Sequence, residues 1–255
     1  MRSLIAGAVD LIDPVDSVIV KQLSTTPKVE VQPLPTAMSW CIFLNQKVKP
    51  FDDLRVRRAV KLAVDRKLIL EAVYQGLGVT TPDVPLPPGD PMFPTDVGTA
   101  PKTFQRPILP GMVDLAVTFA ESVKAAGIRV TVNQWPAATY WDRVWIKYPT
   151  YVDYNNRRNA HDALDLVFAK RTPYAAGVNF DEDGKLREFI DKALVETDPA
   201  KQTEMYKRAL RRVALESGVI IPSFLSRNCT LGKNVKGQLF EWEMQASYFL
   251  LSKDA

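Results

Sequence analysis

Between Thr80 and Pro110 the chain carries prolines at positions 82, 85, 87, 88, 91, 94, 101, 107 and 110, and nothing else in it restricts the fold as strongly. Each ring removes a backbone donor and fixes one φ angle, so the stretch can be neither a helix nor a central strand. It is expected to be extended coil. Regular structure must therefore be built from the residues before it and from those that resume at Met112.

On the N-terminal side, residues 3–9 and 18–23 read as short helical turns around the Asp13-Pro14 break, and Val29-Glu30-Val31 as a short alternating strand. Met38 to Asn45 is an apolar strand candidate. After the turn through Lys47-Val48-Lys49-Pro50, the residues Val56, Ala59, Val60, Ala63 and Val64 recur at helical spacing, with Asp52 or Asp53 placed to cap the first turn. Asp65 starts a second helix with Leu68, Ile69, Ala72 and Val73 as its stripe and Gly76 as its stop.

Beyond the prolines, Met112 to Val123 is an amphipathic helix closing at Gly127, and Ile128-Arg129-Val130-Thr131-Val132 alternates as a strand should. Thr139 is placed to cap a short helix through Tyr140, Trp141 and Trp145. An apolar-aromatic segment from Tyr148 to Tyr154 leads into the polar run Asn155-Asn156-Arg157-Arg158-Asn159. Further helices are expected around Ala163–Phe168, over Leu186–Thr197 and from Pro199 to Glu216 with Asp198 as cap. After Gly218, Val219 to Leu225 reads as a buried strand. Helices alternating with strands give an α/β class.

The chemistry is sparse. The 33 basic and 29 acidic residues interleave to a net charge of +4, without the sustained one-signed field that nucleic acid calls for. Lys207, Arg208, Arg211 and Arg212 read instead as a solvated helix face beside Glu204 and Glu216. No run approaches the ~20 apolar residues of a membrane span, and residues 1–9 meet Asp10 and Asp13 before forming the apolar region of an export signal.

His161 is the single histidine, with Asp165 one turn away, too few ligands for a metal site. No phosphate loop, nucleophile elbow or catalytic dyad is legible, so no enzyme and no cofactor are expected. Cys41 and Cys229 are expected as two buried thiols, with a disulfide between them the other possibility.

Several segments resemble the family 5 extracellular solute-binding proteins, the dipeptide- and oligopeptide-binding receptors of ABC importers. The fullest match is Phe43-Leu44-Asn45 followed by Pro50-Phe51-Asp52-Asp53-Leu54-Arg55-Val56-Arg57-Arg58-Ala59-Val60-Lys61-Leu62-Ala63-Val64-Asp65-Arg66. It is similar to the family pattern N…P-F-x-D-x-R-V-R-x-A-x-x-x-A-I-D-R. Ile5 to Ile12, Pro110 to Asp114, Ala125 to Val130, Tyr140-Trp141 with Trp145, and Glu196 to Pro222 agree in order and rough spacing.

The resemblance implies a periplasmic-binding-protein-like fold of type II, cluster C. It implies a second α/β lobe at 45–221 and parts of a first lobe at 1–44 and 222–255, joined by hinge crossings near Asn45 and Pro222. Side-by-side crossings would bring Cys41 and Cys229 closer together. The match covers most of this chain but part of the family's length, so a receptor truncated at its N-terminus is expected. Relatives place a helix and a strand where this chain has Asp90 to Pro110, and losing that strand would leave a sheet edge or a gap.

The resemblance further implies a peptide or small-molecule ligand, permease subunits as partners and a periplasmic location. Tyr154 takes the place of the cleft aromatic, Asn155 could bond a ligand backbone, and Arg157 would offer a five-donor fork to an anion. Asn156 stands where glycine is usual, and His161 where an acid is common, with Asp162 next. A solvated polar loop is the alternative reading of this run. The alternative to a receptor is a truncated, transport-incompetent α/β lobe acting as a protein-interaction module, or a decayed gene product.

Overall fold

The computed structural model describes residues 2–13, 15, 19–20, 23, 25–36, 38–74, 76, 78–97, 112–156, 158–169, 181, 183–237, 239–242, 245–247 and 251–253. Arg157 and residues 98–111 and 170–180 lie outside them.

Two sheets organise the chain. In the first, β7 (Ser223–Gly232) is the central strand and lies antiparallel to β2 (Val29–Pro35) and to the short β1 (Leu11–Ile12). Its first three residues also pair with β4 (Gly78–Thr80). The second sheet has the order β5-β3-β6, from Thr150–Asn155, Ser39–Leu44 and Val219–Ile220, all antiparallel.

The chain crosses from the first sheet to the second between Pro35 and Ser39 and returns between Ile220 and Ser223. The two crossings are bonded side by side. Leu225 N–H donates to the Met38 carbonyl at 2.8 Å, and Thr36 N–H donates to the Leu225 carbonyl at 3.0 Å. Even so, Cys41 and Cys229 are separate, buried free thiols.

The second sheet is covered on both faces, which explains why β3 is almost uniformly apolar. Cys41, Phe43, Tyr151 and Val219 face one core, shared with α6 (Ala160–Val167), α7 (Lys185–Leu194) and α8 (Pro199–Glu216). Ile42, Leu44, Val152 and Ile220 face the other, shared with α2 (Leu54–Ala63), α3 (Arg66–Ala72) and α4 (Met112–Lys124). A small α1 (Arg2–Ile5) packs Leu4 with Val20, Leu23 and Val29 on the first sheet. The remaining strands, β8 (Val235–Lys236) with β11 (Ser252–Lys253) and β9 (Phe240–Trp242) with β10 (Gln245–Ser247), form two-stranded ribbons.

The helix starts follow local chemistry. Asp53 accepts from Arg55 N–H at 2.8 Å, Asp65 from Leu68 N–H at 2.9 Å and Asp198 from Ala200 N–H at 2.9 Å, each satisfying a first-turn donor. After α3, Gly76 takes a φ of +79° and its N–H returns to the Leu70 carbonyl at 2.8 Å. Gly218 is needed for a different reason: a Cβ there would collide with the Leu44 carbonyl, where β3 and the end of α8 meet.

The basic residues of the 50–66 segment have a structural task. Three carbonyls at the end of α8 lack intrahelical donors, and α2 supplies them from one face. Lys61 Nζ donates to Ala214 O at 2.7 Å, Arg57 Nε to Glu216 O at 2.9 Å and Arg58 Nε to Leu215 O at 3.4 Å. Three cations at a helix C-terminus also oppose its negative dipole end. Beside them Asp83, 3% exposed, pairs with Arg66 at 2.8 Å and Lys61 at 3.6 Å, and accepts Ile221 N–H at 2.9 Å.

Three local expectations fail. Ile128–Val132 forms no ladder among the described residues, although Ile128, Val130 and Val132 are half-buried while Arg129 and Thr131 are exposed. Alternation orients side chains, but a strand also needs a neighbour to bond. The strand expected over Val219–Leu225 is two strands, because Ile221-Pro222 lies in the crossing between sheets. The short helix α5 (Ala137–Arg143) begins after Pro136 rather than at Thr139, whose hydroxyl donates to the Pro136 carbonyl at 3.1 Å.

Candidate functional site

The register of β3 against β5 sets Trp40 opposite Tyr154 and Ser39 opposite Asn155, next to the crossing between sheets. The Trp40 and Tyr154 rings meet edge to face with centroids 5.8 Å apart. α5 brings a third ring, Trp141, to 6.3 Å from Tyr154, and Trp141 in turn meets Trp145 at 6.0 Å. Tyr154 and Trp141 stay 36% and 42% exposed, so this ladder offers open aromatic surface. Each such ring pair contributes about 0.5–1.5 kcal/mol beyond the area it buries.

Asp153 anchors the ladder from below. It is 2% exposed; its carboxylate accepts Trp145 Nε1–H at 2.7 Å and Tyr154 N–H at 2.7 Å. Burial raises its pKa above the usual carboxylate range, and these two donors oppose the rise. The Tyr140 hydroxyl, also on α5, donates to the Val152 carbonyl.

The structure brings together only part of the run singled out from the sequence. Tyr154 is presented at the surface. Asn155 is 8% exposed, and its amide faces Cys41 Sγ at 3.5 Å, which directs it into the sheet. Burial pushes that thiol up to about 12. Asn156 is half-buried, and its carbonyl accepts from Arg158 Nη1 at 3.3 Å.

Asn159 caps α6, accepting Asp162 N–H at 2.8 Å. His161 lies one residue into that helix, half-buried, with Nδ1 3.1 Å from the Tyr206 hydroxyl of α8. It is thus held by the helical layer rather than by the Tyr154 ladder. Asp165, its sequence neighbour by one turn, is ion-paired with Arg187. Among the described residues no group of three or more His, Cys, Asp or Glu could hold a metal, and no helix is long and apolar enough to cross a membrane.

Trp40 is the contact that reading the sequence missed. Its partner lies 114 positions away, and only the β3–β5 register places the two rings together. Trp141 and Trp145 were visible as part of an aromatic segment, without any sign of where they would point.

Comparison with known proteins fits this architecture. Residues 1–107 match the model of the bacterial extracellular solute-binding proteins, family 5 middle. Heme-binding protein A of Haemophilus influenzae is 40% identical over 83 residues, 32% of this chain and 15% of that protein. HbpA2 from Haemophilus parasuis superposes with a TM-score of 0.77 at 16% identity, over 100% of this chain and 55% of its own.

The oligopeptide-binding protein AppA from Bacillus subtilis, solved with a nonapeptide, superposes at 0.72 and 15% identity, over 95% of this chain and 55% of its own. The chain thus spans about half the length of those solved relatives. It carries the α/β fold of the periplasmic binding proteins, and over residues 1–107 it also resembles, in sequence, the bacterial extracellular solute-binding proteins of family 5.

Proposed function

We propose that this chain is part of the substrate-binding component of an ABC importer for peptides or similar small polar solutes, and that it binds rather than transforms its ligand. The observation that carries this reading is the aromatic ladder of Trp40, Tyr154 and Trp141, exposed beside the paired crossings between the two sheets. A ligand held there would touch the segments that must bend if the two parts of the molecule close on it.

In this reading 45–221 is the second lobe, and 1–44 and 222–255 belong to the first. The change of sheet at Pro35–Ser39 and Ile220–Ser223 supports a two-lobed division but moves its first boundary from Asn45 to before Ser39, so that β3 goes with the second lobe. Tyr154 stacks on the ligand, Asn156 and Arg157 supply polar contacts, and Asn155 and His161 hold the strand and helix that present them. The receptor works in the periplasm, and its closed form docks on permease subunits. The name of the Haemophilus relative adds heme to the ligands worth testing. No comparison favours a protein-interaction module.

A thermal melt of the chain with di- and oligopeptides, sugars, opines and heme tests this. A ligand at 100 times its Kd stabilises by about 2.7 kcal/mol. The reading expects one ligand class to raise the transition and Tyr154→Ala to abolish the rise. A cooperative transition that no ligand moves would overturn it.

A further inference from the structure

A cavity of about 320 Å³ lies beside β5, between α4, α5 and the extended segment 128–136. Its walls include Ala116 and Phe119 from α4, Val130 and Val132 from the extended segment, Trp141 from α5 and Val152 from β5. It opens where the extended segment, with its period-two exposure, forms no ladder among the described residues and lines the same space as β5, the end strand of the second sheet. Two kinds of occupant suit such a gap: an added strand, or a compact apolar ligand.

The polar groups at the edge decide between them. An added strand gains from bonding free backbone groups. Here the Val152 carbonyl already accepts from Tyr140, and Tyr154 N–H is already held by the Asp153 carboxylate at 2.7 Å. Ladder formation would have to displace both, so apolar contact is the more favourable use of the space.

Charge narrows the ligand further. Among the described residues lining the cavity there is no Asp, Glu, Lys, Arg or His, and the polar wall consists of neutral groups such as Thr131, Asn133, Gln134 and Thr150. An ionised solute would lose its hydration there without a partner. An apolar cavity of about 150 Å³ suffices for benzene, so one of about 320 Å³ accommodates a bicyclic ring.

We infer that this cavity is a second binding site, sharing the Trp141 ring with the Tyr154 ladder but none of the ladder's other rings, for a neutral, mainly apolar ligand of one or two rings. The inference does not depend on the solute-receptor reading.

The test uses the full chain with indole and 2-naphthol as neutral probes and indole-3-acetate as a charged counterpart, followed by calorimetric titration. Both neutral probes are expected to bind saturably at one site, with the carboxylate at least tenfold weaker. Ala116→Trp, which fills the cavity, and Val132→Lys, which places a charge in its half-exposed wall, should each weaken indole at least tenfold. The circular dichroism and melting temperature of Val132→Lys should stay those of the parent.

Any peptide found to stabilise the chain should leave indole bound, which separates this site from the ladder. The inference is overturned if neither neutral probe saturates, if the carboxylate binds equally well, or if both variants bind indole undiminished. Displacement of indole by an alternating Val-Thr peptide would also overturn it, in favour of strand addition.

Discussion

Lys61 Nζ donates to the Ala214 carbonyl at 2.7 Å and lies 3.6 Å from the Asp83 carboxylate, with Lys61 only 7% exposed. This one ammonium joins α2, the C-terminal end of α8 and, through Asp83, the segment that follows β4. Its burial lowers its pKa from 10.5 to about 8, and the nearby Asp83 opposes that shift.

A stability profile follows from that depression. Between about pH 8 and 10 the unfolded chain keeps the Lys61 proton while the folded chain releases it. Lys61 alone should therefore make stability rise with pH, by an amount on the order of 1–3 kcal/mol across this window, while from about pH 9 the thiols of Cys41 and Cys229, which the fold keeps protonated to about 12, oppose it. Above pH 10 Tyr74 and Tyr151, whose pKa values burial raises, add to that opposition, because the unfolded chain then loses protons that the fold retains. Urea midpoints measured from pH 7.5 to 10 for the chain and for Lys61→Met check this: the stability of the chain relative to the variant should rise across the range.

Asp83→Asn tests the buried cluster. Asparagine tolerates the left-handed backbone at position 83, where φ is +64°, so the substitution isolates the charge. It leaves Arg66 and Lys61 without their anion, and the expected loss is roughly 3–5 kcal/mol. Equilibrium urea unfolding reads it directly. A loss under 1 kcal/mol would mean that the cations are served mainly by the carbonyls.

The cap of α8 offers a smaller, cleaner effect. Asp198 accepts from Ala200 N–H at 2.9 Å and Lys201 N–H at 3.2 Å. Asp198→Ala should cost about 1 kcal/mol, and Asp198→Ser should recover most of it. Thermal melts of the two variants give the comparison.

The Trp40–Tyr154 contact should show as coupling. A double-mutant cycle with Trp40→Leu and Tyr154→Leu is expected to give about 0.5–1 kcal/mol of interaction energy. Additive losses would mean that the rings only share a surface.

Both thiols should be silent in the native state. Cys41 and Cys229 are buried, and burial pushes each up to about 12. A thiol-exchange reagent at pH 8 should label neither until urea unfolds the chain, when both should react. Fast native labelling of either one would show local opening of its strand.

Much of the secondary structure was legible because its causes are local. Asp53, Asp65 and Asp198 cap helices through hydrogen bonds spanning two or three residues, and apolar repeats mark the buried faces of α2, α4 and α8. The family resemblance came from the same kind of segment.

What the sequence could not supply is everything that depends on which segments meet. Ile128–Val132 has the alternation of a strand, but a ladder needs a second backbone at hydrogen-bonding distance, and none pairs with it among the described residues. Asn155 looked like a ligand contact until the β3 register turned its amide toward Cys41. Nothing in the sequence indicated that the donors of Arg57 and Lys61 would reach the carbonyls at the end of α8. Side-chain type and spacing set what each residue can do; tertiary packing decided its partner, because hydrogen bonds and ring contacts act only over a few ångströms.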